Sequence, residues 1–321
     1  MVSIKSASDF ADALTGAFAH ESSKARFSEV QLFRALMNSF SCMRSGFHVE
    51  EYHGAKHQVF FIGNGDWGRS PARCELCDLV FVAYRPKPVW QCRVTFLQAK
   101  LSKQKYPVLC RGYPARPTSI DFQANLEQWD LLSSRPAILG VPPFRIPPLL
   151  LQEAELASVG SFGIFHRSQA RSVQFLYSSA DVLSVVGSPK TKHGRLALTP
   201  VPRMSRTTNG YRETVFCCCL GTFAESLYSL EIGTPVRSAA SAAEPSALTH
   251  WLGELMQSYL MEHQDSEMAR EILSGLGLID QAADRLQPMP LPSIVIVKAD
   301  TEAGHAGIGR ERPPEVFETP Q

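Results

Sequence analysis

Arg73-Cys74-Glu75-Leu76-Cys77-Asp78-Leu79-Val80-Phe81-Val82 places an acid at the head of an apolar run, and Arg93-Val94-Thr95-Phe96-Leu97-Gln98-Ala99-Lys100 follows it. Both stretches read as strands, Glu75 to Tyr84 and Arg93 to Leu101, rich in Val, Phe and Leu. Arg85 to Pro88 breaks the chain between them and lets the two pair as neighbours. Residues i and i+2 of a strand share a face, so Gln98 and Lys100 project together and Asp78 is brought towards them. An ammonium inside an apolar strand is costly unless something answers it. A carboxylate or a substrate phosphate does so. The alternative is a strand lysine snorkelling at a sheet edge beside an incidental aspartate.

Working outward, Phe10 to His20 is expected to be a helix with Ser8 as its N-cap. Phe27 to Phe40 repeats Phe27, Val30, Phe33, Leu36, Met37 and Phe40 at helical spacing, and Ser28 with Gln31 fits a capping box. Gln58 to Ile62 reads as a strand. Gly63-Asn64-Gly65-Asp66-Trp67-Gly68 then turns the chain. It matches G-x-G-x-x-G, but Pro71 and another strand follow and positions 85–90 hold no acid, so a dinucleotide site is not expected. Ile120 to Leu132 is expected to be helical. Ser161 to His166 and Val173 to Tyr177 are two more strands. Residues 187–212 read as a basic loop or insertion, Glu213 to Leu230 as a buried helix, Ser238 to Ser246 as a linker, and Leu248 to Leu278 as one or two helices. The segment from Gln287 is rich in Pro, Gly and acids. It reads as mobile, with a short strand at Ile294–Val297.

The cluster suits phosphodiester hydrolysis. Asp78 and the Gln98 amide oxygen are hard ligands for Mg²⁺. Lys100 is placed to orient a water and to stabilise charge on phosphoryl oxygens. Glu29 is the candidate third oxygen ligand, because it borders the apolar face of its helix; Glu75 is the substitute.

This arrangement resembles the PD-(D/E)xK nuclease superfamily, in its variant with Gln-x-Lys. The resemblance covers residues 22–180 and rests on Asp78, Gln98 and Lys100, with Glu29 at the helical acid site. Cys77 stands where the motif has proline. The resemblance implies an α/β fold with a restriction-endonuclease-like αβββαβ core and a mixed sheet, here extended by C-terminal helices. It also implies DNA cleavage, less often RNA cleavage, with Mg²⁺ or Mn²⁺, and a setting in restriction or phage defence. Gln128 on the expected helix after the active strand contacts DNA or the catalytic centre in some relatives. The alternative is a solvated Gln beside a packed Trp129. The expected divisions are an N-terminal helix (1–21), a nuclease core (22–180), a basic loop with helical extension (181–286) and a flexible acidic tail (287–321). The rival function is a nuclease-like module that binds nucleic acid or protein without cutting.

The net charge of +1 hides an asymmetry. Residues 1–243 hold 27 Lys+Arg against 18 Asp+Glu, and residues 244–321 hold 5 against 13. Leu79–Ile120 contains eight bases and no acid, and Val182–Arg212 six bases and no acid. Such stretches are either a footprint for a polyanion or solvated faces balanced elsewhere in the fold. Lys103, Lys105, Arg111 and Arg116 are the expected backbone contacts. The acidic C-terminal part is expected to dock a partner or to shield the basic surface. Cutting both strands takes two active sites, which makes a homodimer the expected assembly.

The remaining signals exclude more than they add. With 321 residues, 44% hydrophobic and 20% charged, the composition excludes a coiled coil, a collagen-like rod and a wholly disordered chain. No apolar run is long enough to span a membrane, and the first twenty residues lack the apolar core of a secretory signal. Eight cysteines, three of them adjacent at 217–219, are poor material for a disulfide framework, so a cytoplasmic protein is expected. Cys74 and Cys77, with Cys92 and Cys110, allow a zinc reading, but packed thiols are favoured without a second C-x-x-C. His48, His53 and His57 lie within ten residues, which allows metal ligation, but a solvated hairpin region is favoured; His166, at a strand end, has the same status. There is no G-x-S-x-G elbow and no G-x-x-x-x-G-K-[ST] phosphate loop.

Overall fold

The structure, a computed structural model, describes residues 4–41, 43, 45–48, 57–65, 67, 70–106, 119–169, 172–198, 203–239, 245–278 and 289–299. Among these, six helices pack around a large mixed sheet and two three-stranded sheets. The helices are α1 (Ala7–Lys24), α2 (Glu29–Ser41), α3 (Leu126–Ser134), α4 (Leu220–Tyr228), α5 (Ala247–Glu262) and α6 (Glu267–Leu276).

The centre of the large sheet is β4 (Leu79–Arg85) beside β5 (Gln91–Tyr106), antiparallel, with Leu79 opposite Leu97. Next to β5 lies β8 (Gly160–Ser168), parallel to it, with Lys100 opposite Ile164. A parallel pair needs a crossover, and α3 lies within it. The sheet continues through β9 (Val173–Ser179), β13 (Tyr211–Cys217) and β12 (Arg203–Thr208). On the other side of β4 lies β15 (Ile294–Lys298), parallel to it, and beyond that β1 (Ser45–His48), antiparallel to β15. The short β14 (Thr234–Pro235) pairs with β5.

Both faces of the sheet are covered. Leu79, Phe81 and Ala83 pack against α1, α2 and α4, while Val80, Val82 and Tyr84 pack into the layer containing α3, α5 and α6. This is why β4 reads as a continuous apolar run rather than an alternating one. In α2, Leu32, Phe33, Leu36, Met37 and Phe40 are buried, while Val30 lies exposed. Ser28 accepts from the Gln31 N–H at its start. The first helix is longer than expected, and Ser6, not Ser8, caps it in a box with Asp9.

Several expectations need correction. Glu75 to Tyr84 is not one strand: β3 (Ala72–Glu75) ends before Asp78, and β4 starts after it. Gln58–Phe61 (β2) does not join the large sheet but pairs with β3 and with β7 (Ile138–Gly140). Ile120–Asn125 is a strand, β6, and α3 starts only at Leu126 with Asn125 as cap. Its alternation of buried Ile120, Phe122 and Ala124 is a period of two, not a helical one. Residues 187–212 are no loop, since β11 (His193–Leu198), β12 and the start of β13 occupy them. β11 joins β10 (Ser184–Val185) and β6 in the third sheet. Glu213–Cys217 is strand, and only Leu220–Tyr228 is helix. Residues 203–217 and 294–298 both enter the large sheet, so boundaries at 180 and 287 do not separate independently packed units. Ile294–Lys298 is an interior strand with four fully buried aliphatics, not part of a mobile tail.

Candidate active site

The site forms where β5 runs on past the first residue of β4. β4 begins at Leu79, so from Gln98 onwards β5 has β8 on one side and no β4 partner on the other. Asp78 sits at this edge. Its backbone N–H donates to the Leu97 carbonyl, and its Oδ2 accepts the Ala99 N–H at 2.7 Å. Those bonds fix the carboxylate beside Lys100. The Lys100 Nζ lies 3.9 Å from Asp78 Oδ2 and 3.9 Å from Glu29 Oε1. Both are charge contacts, too long for hydrogen bonds. The Lys100 and Asp78 side chains are only 11% and 12% exposed, whereas Glu29 is 43% exposed. Glu29 is the first residue of α2, which belongs to the layer on the opposite face of the sheet from the even-numbered side chains of β5. Three of the four side chains the sequence singles out, Lys100 of β5, Asp78 just before β4 and Glu29 of α2, therefore converge.

Gln98 completes the group. It is fully buried, and its Nε2 faces the Glu75 carbonyl at 3.5 Å. Its Oε1 is buried without a hydrogen-bond partner. An orphaned buried acceptor costs about 1–3 kcal/mol, so an electropositive partner at this oxygen is favourable. Among the described residues no three His, Cys, Asp or Glu side chains form a metal-binding group. The oxygen set here is instead two carboxylates and an amide. That set fits Mg²⁺ or Mn²⁺, which take hard oxygen ligands and retain several waters. Glu75 approaches Gln98 through its backbone.

The cysteines near the site are packed thiols. Cys74 and Cys77 are buried in the same apolar layer as Cys92. Burial first, and then the Asp78 and Glu75 carboxylates, push the Cys77 thiol well above its ordinary range. Cys110, His53, Asp66, Arg111 and Arg116 lie outside the described residues, as does the side chain of His48. His57 is buried, with Nε2 3.1 Å from the Pro290 carbonyl and its ring edge-on to Phe144. The glycine-rich turn is held from α3, where Asp130 Oδ2 accepts the Asn64 N–H at 2.7 Å.

The expected nucleic-acid contacts divide. Lys103 and Lys105 are exposed on the β5 overhang. Gln128 is 8% exposed on α3 and is not a surface contact; Trp129 beside it bonds the Ala180 carbonyl and packs on Trp67. What the sequence reading misses is a groove of about 520 Å³ beside Lys103, bounded by Ser102, Gln104, Asp121, Gln123 and Arg195. Period-two alternation in Ile120–Asn125 is the signal for it.

His166, on β8, lies edge-on to Tyr106, with ring centroids 5.2 Å apart. Burial pushes its pKa down to about 4, against a weaker opposing effect of the Arg167 carbonyl. The folded state thus favours neutral imidazole. Its contribution is complete above the ordinary value near 6.5 and is lost as pH falls from there towards 4. Between pH 7.5 and pH 5 this removes about 2 kcal/mol. Urea unfolding at the two pH values should show that loss, and His166→Gln should flatten it.

Comparison of the chain with family models, with curated proteins and with solved structures gives no match. No helix of the described residues is long and apolar enough to cross a membrane.

Proposed function

We propose that this chain is a metal-dependent nuclease that hydrolyses DNA phosphodiester bonds. One observation carries the reading: the Lys100 amine stands 3.9 Å from both Asp78 and Glu29, on the same strand face as an unpartnered buried Gln98 oxygen. Asp78, Gln98 and Glu29 would hold Mg²⁺ or Mn²⁺, which when bound polarises the scissile phosphate and acidifies a water. Lys100 orients the attacking water and answers charge building on the phosphoryl oxygens. The Ala99 N–H keeps Asp78 in place throughout. The low exposure of Lys100 and Asp78 excludes bulk water and strengthens each of these interactions.

The order α2, β1, β4, β5, α3, β8 supports a restriction-endonuclease-like core. In that reading β15 is inserted between β1 and β4, and β1 keeps its antiparallel sense relative to β4. By the same resemblance the protein belongs to restriction or phage defence in the cytoplasm, acting as a homodimer on duplex DNA.

A second reading draws on the same contacts. A lysine already answered by two carboxylates is also a structural ion cluster, and the chain would then bind without cutting. Metal binding separates the two. At tenfold excess over its dissociation constant Mn²⁺ stabilises a site by about 1.4 kcal/mol, a rise of roughly 2 °C in Tm. The nuclease reading expects that rise in the wild type and its absence in Asp78→Asn. No rise in either favours the structural cluster.

A further inference from the structure

We infer that the third sheet, β10–β11–β6, is an arm that grips the backbone of duplex nucleic acid leading into the Lys100 site; this rests on the nuclease reading above. The two acid-free windows of the sequence do not behave alike once folded. In the second, the arginines of β12 and β13 are neutralised: Arg203 and Arg212 by Glu231, and Arg206 by Asp181 and Glu213. Arg93 of the first is buried on the carbonyls of Gly233 and Arg212. These are structural charges. Lys190 and Lys192 beside β11, and Lys103 and Lys105 on β5, are different. Among the described residues none of the four pairs with a carboxylate.

Folding sets these charges along one sheet: Lys192 precedes His193, at the Asn125 end of β6, and Lys103 lines the groove at the Asp121 end. β11 pairs with β6, with Arg195 opposite Gln123 and His193 opposite Asn125. Leu196 and Leu198 face the core together with Ile120 and Phe122, so Arg195, His193 and Gln123 face outward. β6 is tied to β5 through Tyr106, whose hydroxyl accepts the Asp121 N–H at 3.0 Å. The groove beside Lys103 lies between the two. Asp121 is the carboxylate in it, and it is answered by Arg195 and by Gln104 Nε2. The lysines are left in surplus. Lys103 is three residues from Lys100, about 10 Å along the strand. The positive strip therefore starts at the candidate site and runs out over the arm.

The strip suits a duplex backbone rather than a single strand. Single-strand binding sites stack bases on aromatic side chains. Among the residues whose burial is described no Phe, Tyr or Trp is exposed, and the exposed large apolar residue on the arm is Val186. Lysines without aromatics offer charge to phosphates and nothing to bases.

The test uses the full-length chain, a fluorescent 30-base-pair DNA duplex, and anisotropy in EDTA over a range of salt. Each lysine on a phosphate contributes about 0.9 to the slope of log affinity against log salt. Lys190→Ala/Lys192→Ala should bind about tenfold more weakly and lower that slope by about 2. Lys24→Ala, on the opposite layer and paired with Glu21, should change neither. Cleavage with Mn²⁺ is measured alongside. Unchanged affinity and slope in the double variant, with Lys100-dependent cutting intact, overturns the arm and leaves the nuclease. Lost binding in the double variant with no cutting by any protein supports the arm and overturns the nuclease. No duplex binding by the wild type overturns both.

Discussion

Truncation before Met289 should leave a chain that does not fold, while truncation after Ala299 should leave the fold intact. The first cut removes β15, which lies between β1 and β4 with ladder partners on both sides. Ile294, Val295, Ile296 and Val297 are essentially without exposure. Burying an aliphatic side chain of this size contributes about 1.5–3 kcal/mol, so four contribute roughly 6–12. That is comparable to the whole stability of a typical domain, about 5–15 kcal/mol. The strand is also fastened at its far end, where Lys298 Nζ bonds Glu271 Oε1 at 2.7 Å and Tyr84 bonds the same carboxylate. Circular dichroism and solubility of the two truncations decide the matter. A folded, soluble chain ending at Pro288 would contradict the topology. The same pair settles how to test shielding by the acidic C-terminal part. A deletion from residue 287 removes a core strand, so only the shorter cut reads DNA affinity. If residues 300–321 shield the basic surface, that affinity should rise.

Asp78→Asn should lower metal-dependent cutting by about a thousandfold or more, with a smaller loss of melting temperature in the absence of metal than Asp78→Ala. The asparagine oxygen still accepts the Ala99 N–H, so the local backbone is kept. What disappears is the negative charge 3.9 Å from Lys100 and the principal hard ligand. Removing one group that stabilises a transition state through preorganised charge typically costs about 10²–10³ in rate, and loss of the metal adds to this. Asp78→Ala is a different experiment. It strands the Ala99 N–H and one side of a mostly buried ammonium, and should therefore lose more stability. Single-turnover cleavage of a labelled duplex separates the two effects.

The residue cluster is more legible in the sequence than the topology. Asp78, Gln98, Lys100 and Glu29 can be selected because strand periodicity, helix periodicity and residue type all point to one place. Their convergence depends on short-range facts: where β4 starts, which face of β5 carries even residues, which residue opens α2. The insertion of β15 depends on a pairing between residues more than two hundred positions apart, and nothing local in Ile294–Lys298 specifies its neighbours. Burial on both faces removes the alternation that identifies a strand, so 213–217 reads as one piece with the helix that follows. One available signal points the other way. Asn209-Gly210 lies between β12 and β13, both residues with positive φ, at 53° and 79°. That dipeptide is the sequence signature of a two-residue hairpin, and it places strands on both sides of itself. The basic character of 182–212 draws attention to a polyanion instead, and half of that charge is consumed by Asp181, Glu213 and Glu231.

The central claim is that Lys100 belongs to a catalytic centre. Its most direct test is cleavage of supercoiled plasmid by purified protein with Mg²⁺ or Mn²⁺, wild type beside Lys100→Ala, with both proteins shown to be folded by melting. The account predicts nicked and linear DNA from the wild type, no cutting in EDTA, and loss of cutting in the variant. Equal cutting by both proteins would place the activity elsewhere or in a contaminant, and would contradict the assignment of this site.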